Sequence, residues 1–500
     1  MKLPESFYNP ISIAGSLMAV ITLLLMGALL AAMSLFGSAS SYIGLFIFII
    51  LPIFLVIGLL LIPVGMIRRK RKIRKGTGEI DFTRRMVVDL NNHKHRNAVL
   101  LFAAGSVVFL FLTGIGSYEA FHYTESTEFC GLLCHRVMEP EYVTYQTSSH
   151  ARVACVECHV GEGADWFVKS KLSGLYQVYA VVTDIYPRPI PTPVHNLRPA
   201  RETCERCHWP NKFYSYRIHT EKHFLADETN SEWNIQLKMK TGPEHSSMGL
   251  SEGIHWHINP DIRIEYISDD DKRESIPWVR AVNLADGDTV IYRDTNSFVE
   301  DSLIAAAEIR VMDCIDCHNR PSHQYLSPRE FTDLLMASGD ISSTIPEIKR
   351  VAMEILNQQY STSDSAAQAI EAGITGYYSD NYPEMSDDLR DKIRAASRAL
   401  QKGYSENIFP EMKAGWDAYP NHIGHFEFQG CFRCHNGTHS DNADNRISRD
   451  CNLCHTITMQ GGRDTESIAL ANESLEFIHP SDIGEAWKEF SCAECHRYMY

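Results

Sequence analysis

Fourteen cysteines are arranged in seven pairs, and a histidine follows the second member of every pair. Six pairs read C-x-x-C-H: Cys155/Cys158/His159, Cys204/Cys207/His208, Cys314/Cys317/His318, Cys431/Cys434/His435, Cys451/Cys454/His455 and Cys492/Cys495/His496. The first pair has one residue more, running from Cys130 through Gly131, Leu132 and Leu133 to Cys134 and His135. This is the attachment pattern of a c-type haem. Two thiols are spaced to form thioethers with the porphyrin vinyls, and the adjacent imidazole ligates iron from the proximal side. Zinc would pair two C-x-x-C units without needing a histidine after each, and a disulfide framework would not keep that histidine seven times. A single C-x-x-C-H is weak evidence. Seven that exhaust the cysteines imply seven covalently bound haem c groups, and with them electron transfer.

A low-spin electron carrier takes a second axial ligand, usually another histidine. Seven of the 22 histidines belong to the motifs. His93 and His95 fall in a basic loop assigned below to the cytoplasm, and His122 falls at the exit from the membrane. The expected distal ligands are His150, His223, His255, His323, His425 and His479, with His257, His219, His422 and His245 in reserve. His195 is a further candidate, and His439, four residues after a motif histidine, reads as a loop residue.

The elements that must hold these groups begin in a membrane. Ile11–Phe36 and Ile43–Ile67 are uncharged apolar runs, and Ala98–Ile115 is a third, shorter one. At about 1.5 Å per residue such runs match a hydrocarbon core of roughly 30 Å. The first run is too long for a cleaved signal, lacks a basic leader and is followed by two more spans. Eleven Lys and Arg crowd residues 68–97 against three acids, a net of +8. Positive loops stay in the cytoplasm. The N-terminus is then also cytoplasmic, and everything beyond Gly116 lies outside, where covalent haem attachment takes place. The whole chain carries −15 and the loop +8, which leaves about −23 for residues 117–500. Such a surface favours basic partners and argues against nucleic acid.

The expected organisation is a membrane anchor (1–116), a three-haem segment (117–225), a β-rich insert (226–310), the fourth haem segment (311–325), a helical insert (326–418) and a C-terminal three-haem segment (419–500). In the β-rich insert Ile262–Ile267, Ile276–Val282 and Thr289–Arg293 read as strands, broken by Asp269–Asp271 and Asp286-Gly287. In the helical insert Ser327-Pro328, Thr344-x-x-Glu347 and Ser386 read as helix starts, with Ile348, Val351, Ala352, Ile355 and Leu356 on one face and the last helix running to about Gln401. The fold class is therefore mainly α: three transmembrane helices plus a multihaem domain with little regular structure and a small β-hairpin insert. Porphyrins would fill much of that domain's core.

Residues 129–160, FCGLLCHRVMEPEYVTYQTSSHARVACVECHV, resemble the NapC/NirT family of membrane-bound quinol dehydrogenases. That family follows its first haem with Met-x-Pro-x-Tyr, then Ser-x-His, then a second C-x-x-C-H. Met138, Pro140, Tyr142, Ser148, His150 and Cys155–His159 match, and the likeness covers roughly residues 98–220. The full architecture is similar to the ImcH-type inner-membrane heptahaem branch. The resemblance implies oxidation of menaquinol beside the first haem and delivery of electrons to periplasmic cytochromes, in anaerobic or metal respiration. It also implies either His135 or Met138 as first-haem ligand. The sequence departs from the family in the extra motif residue and in the two residues between His135 and Met138. For the quinol pocket the resemblance implies a lysine, matched by Lys169 or Lys171. It also implies an acid whose position is held by Gln177, with Asp165 or Glu162 as substitutes.

The residues support a quinol site independently. Quinol oxidation releases two protons and two electrons, so it needs a haem at the membrane face and a proton acceptor nearby. The first motif follows the third span by fourteen residues, and Trp166–Leu172 is amphipathic, with aromatics beside lysines, as suits an interfacial helix. Plain interfacial anchoring is the simpler account of that stretch. Two other functions compete: a passive relay in which a partner subunit oxidises quinol, and a terminal reductase of a small oxyanion such as nitrite. The absence of C-x-x-C-Lys and the surplus of histidines weigh against the reductase. The chain is thus read as an inner-membrane, multi-pass protein with a periplasmic haem domain, acting alone, as a homo-oligomer or within a complex.

Overall fold

A computed structural model describes residues 5–36, 47, 50–76, 90–161, 163–192, 199–209, 215–242, 252–297, 300, 304, 306–471, 473–497 and 499. The chain divides into two compact units, Met1–Met138 with Ala154–Val156, and Glu139–Val153 with Glu157–Tyr500.

The first unit is built on three long helices, α1 (Pro10–Phe36), α2 (Leu51–Gly76) and α3 (His93–Glu125). Each contains a segment long and apolar enough to cross a membrane: Pro10–Leu29, Leu51–Ile73 and Ala103–Glu125. A side chain facing lipid gains nothing from burial against another helix, so close packing needs small residues. α1 and α2 meet at such residues. A Cβ on Gly15 would stand 2.6 Å from the Gly58 carbonyl, and one on Gly65 would stand 2.5 Å from Ser12 Oγ. Ser12 also donates from its hydroxyl to the Ile62 carbonyl at 2.7 Å. The basic run Arg68–Lys75 continues α2 as helix. The short α4 (Thr127–Leu132), capped by Ser126, carries the first cysteine.

In the second unit, α5 (His135–Thr147), whose first turn still belongs to the first unit, leads to α6 (Cys155–His159), α7 (Ala164–Val182) and α8 (Ala200–Cys204). Two antiparallel sheets follow. Strands β1 (Arg217–Phe224) and β2 (Glu232–Met239) pair in the order β1-β2-β8-β9 with β8 (His455–Gly461) and β9 (Ser467–Ile468). Strands β3 (Ile262–Ile267), β4 (Trp278–Asn283) and β5 (Thr289–Asp294) form the centre of a second sheet. Its edges are β6 (Arg310–Val311) and β7 (His439–Ser440).

About half of the described residues are helical, but the expectation of one small hairpin insert needs correcting. The three expected strands exist almost as read. They are the middle of a five-stranded sheet whose edge strands are two residues long and lie beside the fourth and fifth motifs. Strands that short carry no alternation to read. β1 hid for another reason: its first residues are exposed on both faces.

The helical insert has a true core. Helices α9 (Cys314–Cys317), α10 (Pro328–Ser338), α11 (Ile348–Leu356), α12 (Ser363–Asn381) and α13 (Asp387–Asn407) follow in order, and the last four enclose fully buried Ile348, Ala352, Ile370, Ile374 and Leu400. Ser327 and Glu330 form a reciprocal cap on α10, and Ser386 caps α13. The expected Thr344-x-x-Glu347 cap does not form. Glu347 is itself the residue before α11, in left-handed backbone (φ 56°), and its carboxylate pairs with Arg350 at 3.0 Å. α12 was not legible because its buried side chains, Ala366, Ile370, Ile374 and Tyr378, lie among small residues. The module is tied to the β1–β2 hairpin by buried polar contacts. Asp333 accepts from the Phe224 amide (3.1 Å) and from Lys349 Nζ (2.7 Å), and Asn230 donates to the Ile345 carbonyl (2.8 Å).

Candidate haem sites

C-x-x-C on a helical turn brings two thiols to the same side, because residues three apart are neighbours on a helix. The motifs are held this way, on α6, at the end of α8, on α9, on single turns at Gly430–Arg433 and Cys451–Leu453, and on α14 (Cys492–His496). Reciprocal caps from Asp313 with Asp316, and from Ser491 with Glu494, fix two of these turns. In the first motif Cys130 lies on α4 and His135 opens α5. The His135 side chain lies outside the described residues, and Met138 is half-buried with its amide on the Cys134 carbonyl at 3.0 Å.

The fourteen cysteines differ in how far the polypeptide covers them. Cys158, Cys207 and Cys495, each the second cysteine of its motif, are exposed, as are Cys431 and Cys451. The other nine, Cys130, Cys134, Cys155, Cys204, Cys314, Cys317, Cys434, Cys454 and Cys492, are half-buried. The reason is position. Cys158 and Cys495 stand next to last on the five-residue helices α6 and α14, and Cys207 lies three residues past the end of α8. A helix that short packs little polypeptide around its final turn.

Each of the six C-x-x-C-H histidines faces one other histidine. The ring centres are 6.3 Å apart for His159 and His323, 6.0 Å for His208 and His150, and 6.4 Å for His318 and His255. They are 5.8 Å apart for His435 and His257, 6.2 Å for His455 and His425, and 6.0 Å for His496 and His479. A metal–imidazole bond is about 2 Å. With ring bonds of about 1.33 Å, two imidazoles on opposite sides of one iron have centres roughly 6 Å apart. The spacing fits a metal between each pair, and the residues present fit haem c.

The hydrogen bonds of five of the six second histidines agree. A ligating imidazole holds its other ring nitrogen on a carbonyl or carboxylate, which leaves the far nitrogen's lone pair for the metal. His150 Nδ1 donates to the Pro321 carbonyl (3.1 Å), His255 to Thr241 (2.7 Å), His257 to Ile254 (2.9 Å), His323 to Glu141 (2.8 Å) and His479 to Ser481 (2.8 Å). His425 and His455 each keep a buried Nδ1 with no hydrogen-bond partner. Burial holds His255, His257, His318, His323 and His425 below the ordinary imidazole pKa, and takes His455 and His496 to about 4. Neutral imidazole is the ligating form.

The remaining histidines are engaged differently. His223 has Glu221 at 3.1 Å on one nitrogen and Asp333 at 3.6 Å on the other, and its ring lies against Phe426. Burial opposes its charge, but the bonds to Asp333 and Glu221 win and raise its pKa. His422 has carbonyls on both nitrogens, Asp316 at 3.1 Å and Lys272 at 3.0 Å, and burial with Arg433 nearby lowers it to about 4. His439, fully buried, is engaged on both sides by Asn436 and the Ile276 carbonyl. His219 contacts Glu221 at 3.0 Å. His195 and His245 lie outside the described residues. Of the six expected distal histidines, five face a motif histidine; His223 does not, and His257 from the reserve does. His255 and His257 share one 3-10 turn, Ile254–Ile258. With three residues per turn, positions two apart point to different sides, so a single turn serves both His318 and His435.

α7 is apolar around most of its circumference. Leu172, Leu175, Tyr176, Tyr179 and Val182 are all exposed, Val182 by 79%. Exposed Lys169 lies with its Nζ 4.6 Å above the Trp166 ring, Lys171 is half-buried, and exposed Gln177 reaches Ser173 at 3.5 Å. Glu162 and the Asp165 side chain lie outside the described residues.

Residues 92–189 match the NapC/NirT cytochrome c family, N-terminal region. Over 491 residues, 98% of this chain and 95% of the relative, the sequence is 45% identical to the cytochrome c-type protein ImcH of Geobacter sulfurreducens. It is also 30% identical to the cytochrome c-type protein NrfH of Wolinella succinogenes over 115 residues, 22% of this chain and 63% of that protein. No solved structure matches.

Proposed function

This chain belongs to the NapC/NirT cytochrome c family as one of its ImcH-type members, and on that premise we propose that it oxidises menaquinol in the inner membrane and hands the electrons to a basic periplasmic cytochrome. The observation that carries this reading is the set of six histidine pairs at iron-spanning distance, in a chain with three helices able to cross a membrane. Seven haem c groups, held by the fourteen cysteines, supply one-electron redox chemistry. His159, His208, His318, His435, His455 and His496, each with its facing histidine, His323, His150, His255, His257, His425 and His479 respectively, would hold the irons of six of them. His135 or Met138 serves the first. Two imidazoles at six sites leave no open coordination position there, which weighs against a terminal reductase.

The quinol-facing residues are those of α7. Its exposed leucines and tyrosines suit the edge of a bilayer, where aromatic side chains gather. Lys169 and Lys171 donate to a quinol oxygen and stabilise the negative charge that develops as its proton leaves. A menaquinol analogue added to the purified protein should reduce its haems within a turnover. If only dithionite reduces them, the chain is a passive relay and a partner subunit oxidises quinol.

The orientation follows from the +8 loop. Protease added to intact spheroplasts should remove the haem-bearing part and spare residues 68–97. Cleavage within that loop would invert the topology. The charge of about −23 on residues 117–500 supports a basic acceptor.

A further inference from the structure

Arg433 lies inside the fifth motif, between Cys431 and Cys434, and its side chain is buried. All three guanidinium nitrogens are bonded, yet every partner is uncharged. Nε donates to the Gly430 carbonyl at 2.8 Å, Nη1 to the Arg273 carbonyl at 2.9 Å and Nη2 to the Asp316 carbonyl at 2.7 Å. Nη1 also stands 3.2 Å from Nδ1 of His422, a ring that burial and Arg433 itself keep neutral. Asp316 belongs to the fourth motif, between Cys314 and Cys317, so one side chain ties two motifs of the second unit together. The Asp316 carboxylate is engaged elsewhere. It accepts from the Tyr266 hydroxyl (2.6 Å), from Arg273 (3.0 Å) and from Arg310 (2.5 Å). Among the described residues no carboxylate pairs with Arg433.

We propose that Arg433 sets the reduction potentials of the fourth and fifth haem sites, as one buried positive charge shared between them. It acts through the irons beside it and is a positioning residue. The inference rests on the haem-binding reading above and needs nothing of the quinol site. Taking a charge out of water is costly, and such a charge is ordinarily met by an opposite one. Here carbonyl dipoles solvate the guanidinium without cancelling it. Reduction of Fe(III) to Fe(II) at either site adds one electron, drawn from a neighbouring haem that is oxidised in turn, and breaks no bond. A fixed positive charge nearby therefore favours the reduced form. Buried, it acts through a lower dielectric than a surface charge and is screened far less by salt. Because Arg433 is bonded within both motifs, it raises both sites together, and an electron crosses between them with little change of level.

The test uses the full-length holoprotein, with one site at a time tagged by loss of its second histidine. His255→Ala tags the fourth site and His257→Ala the fifth, each adding a high-spin signal that paramagnetic resonance follows through a potentiometric titration. Adding Arg433→Gln should lower the tagged midpoint in both backgrounds by about ten-fold in the equilibrium constant, or 59 mV for one electron, at low and high salt alike. The second site, tagged by His323→Ala, should move far less. Arg433→Lys keeps the charge and loses the fork of hydrogen bonds, so it should hold both midpoints near the wild-type values. A second route leaves Arg433 in place. His422→Asp puts a carboxylate beside it and should lower both midpoints, whereas the neutral His422→Asn should not. Unmoved midpoints, a shift at only one of the two sites, or Arg433→Lys falling as far as Arg433→Gln overturns the proposal. Intact mass separates the two possible failures. Missing haems in the wild-type protein refute the haem-binding reading, whereas seven attached haems with unmoved midpoints refute the role of Arg433 alone.

Discussion

Replacing His257 by alanine should convert one haem from low-spin to high-spin while all seven remain attached, and replacing His223 by alanine should leave the spin state of every haem as in the wild type. The two histidines are alike in burial and differ in what their nitrogens can offer. His257 holds Nδ1 on the Ile254 carbonyl and aims its other side at His435, with ring centres 5.8 Å apart. Its lone pair is available because burial keeps the ring neutral. His223 has both nitrogens engaged by other side chains, Nε2 by Glu221 at 3.1 Å and Nδ1 by Arg329 at 3.3 Å with Asp333 at 3.6 Å, and neither is aimed at a motif histidine. Electron paramagnetic resonance of the oxidised variants, with intact mass to confirm seven haems, reads the outcome. Added imidazole should restore the low-spin signal of His257→Ala by occupying the vacated place. An additional high-spin haem in His223→Ala, with His257→Ala unchanged, would reverse the assignment.

Haem reduction by a menaquinol analogue should slow by ten-fold or more when Lys169 and Lys171 are both replaced by methionine. Methionine keeps most of the length and the apolar stem and removes the charge. A hydrogen bond to a charged group contributes about 1.5–3 kcal/mol, and about 1.4 kcal/mol is a factor of ten in rate. The loss should appear in the quinol step alone, so reduction by dithionite should proceed at the wild-type rate. Lys169 is the stronger candidate, since it stands exposed on a helix whose neighbouring Leu172, Tyr176 and Tyr179 are exposed as well. Single substitutions should therefore rank Lys169→Met above Lys171→Met. Wild-type quinol kinetics in the double variant, with seven haems retained, would move the site off α7 and favour a passive relay.

The sequence by itself determined what is local or covalent. The attachment motifs are complete within a handful of residues, because two thioethers and a proximal imidazole all come from one helical turn. The membrane runs are legible because roughly 30 Å of hydrocarbon demands about twenty apolar residues in succession, and the Ser327 cap on α10 because it needs only four residues. Only the tertiary structure decided which second histidine meets which motif, and which thiols the polypeptide covers. Cys158, Cys207 and Cys495 look like their partners in sequence and differ from them in exposure, because exposure depends on what packs around a turn. His323 comes back to His159 from far along the chain, and one 3-10 turn supplies His255 and His257 to two different motifs. No periodicity encodes such a meeting, since axial pairing is a contact between segments placed by everything that lies between them. The sheets follow the same rule. β8 leaves the sixth motif to pair with β2, and β6 and β7 are too short to show alternation. Each becomes a strand because a partner stands beside it, and its backbone hydrogen bonds are made across the sheet rather than within the segment.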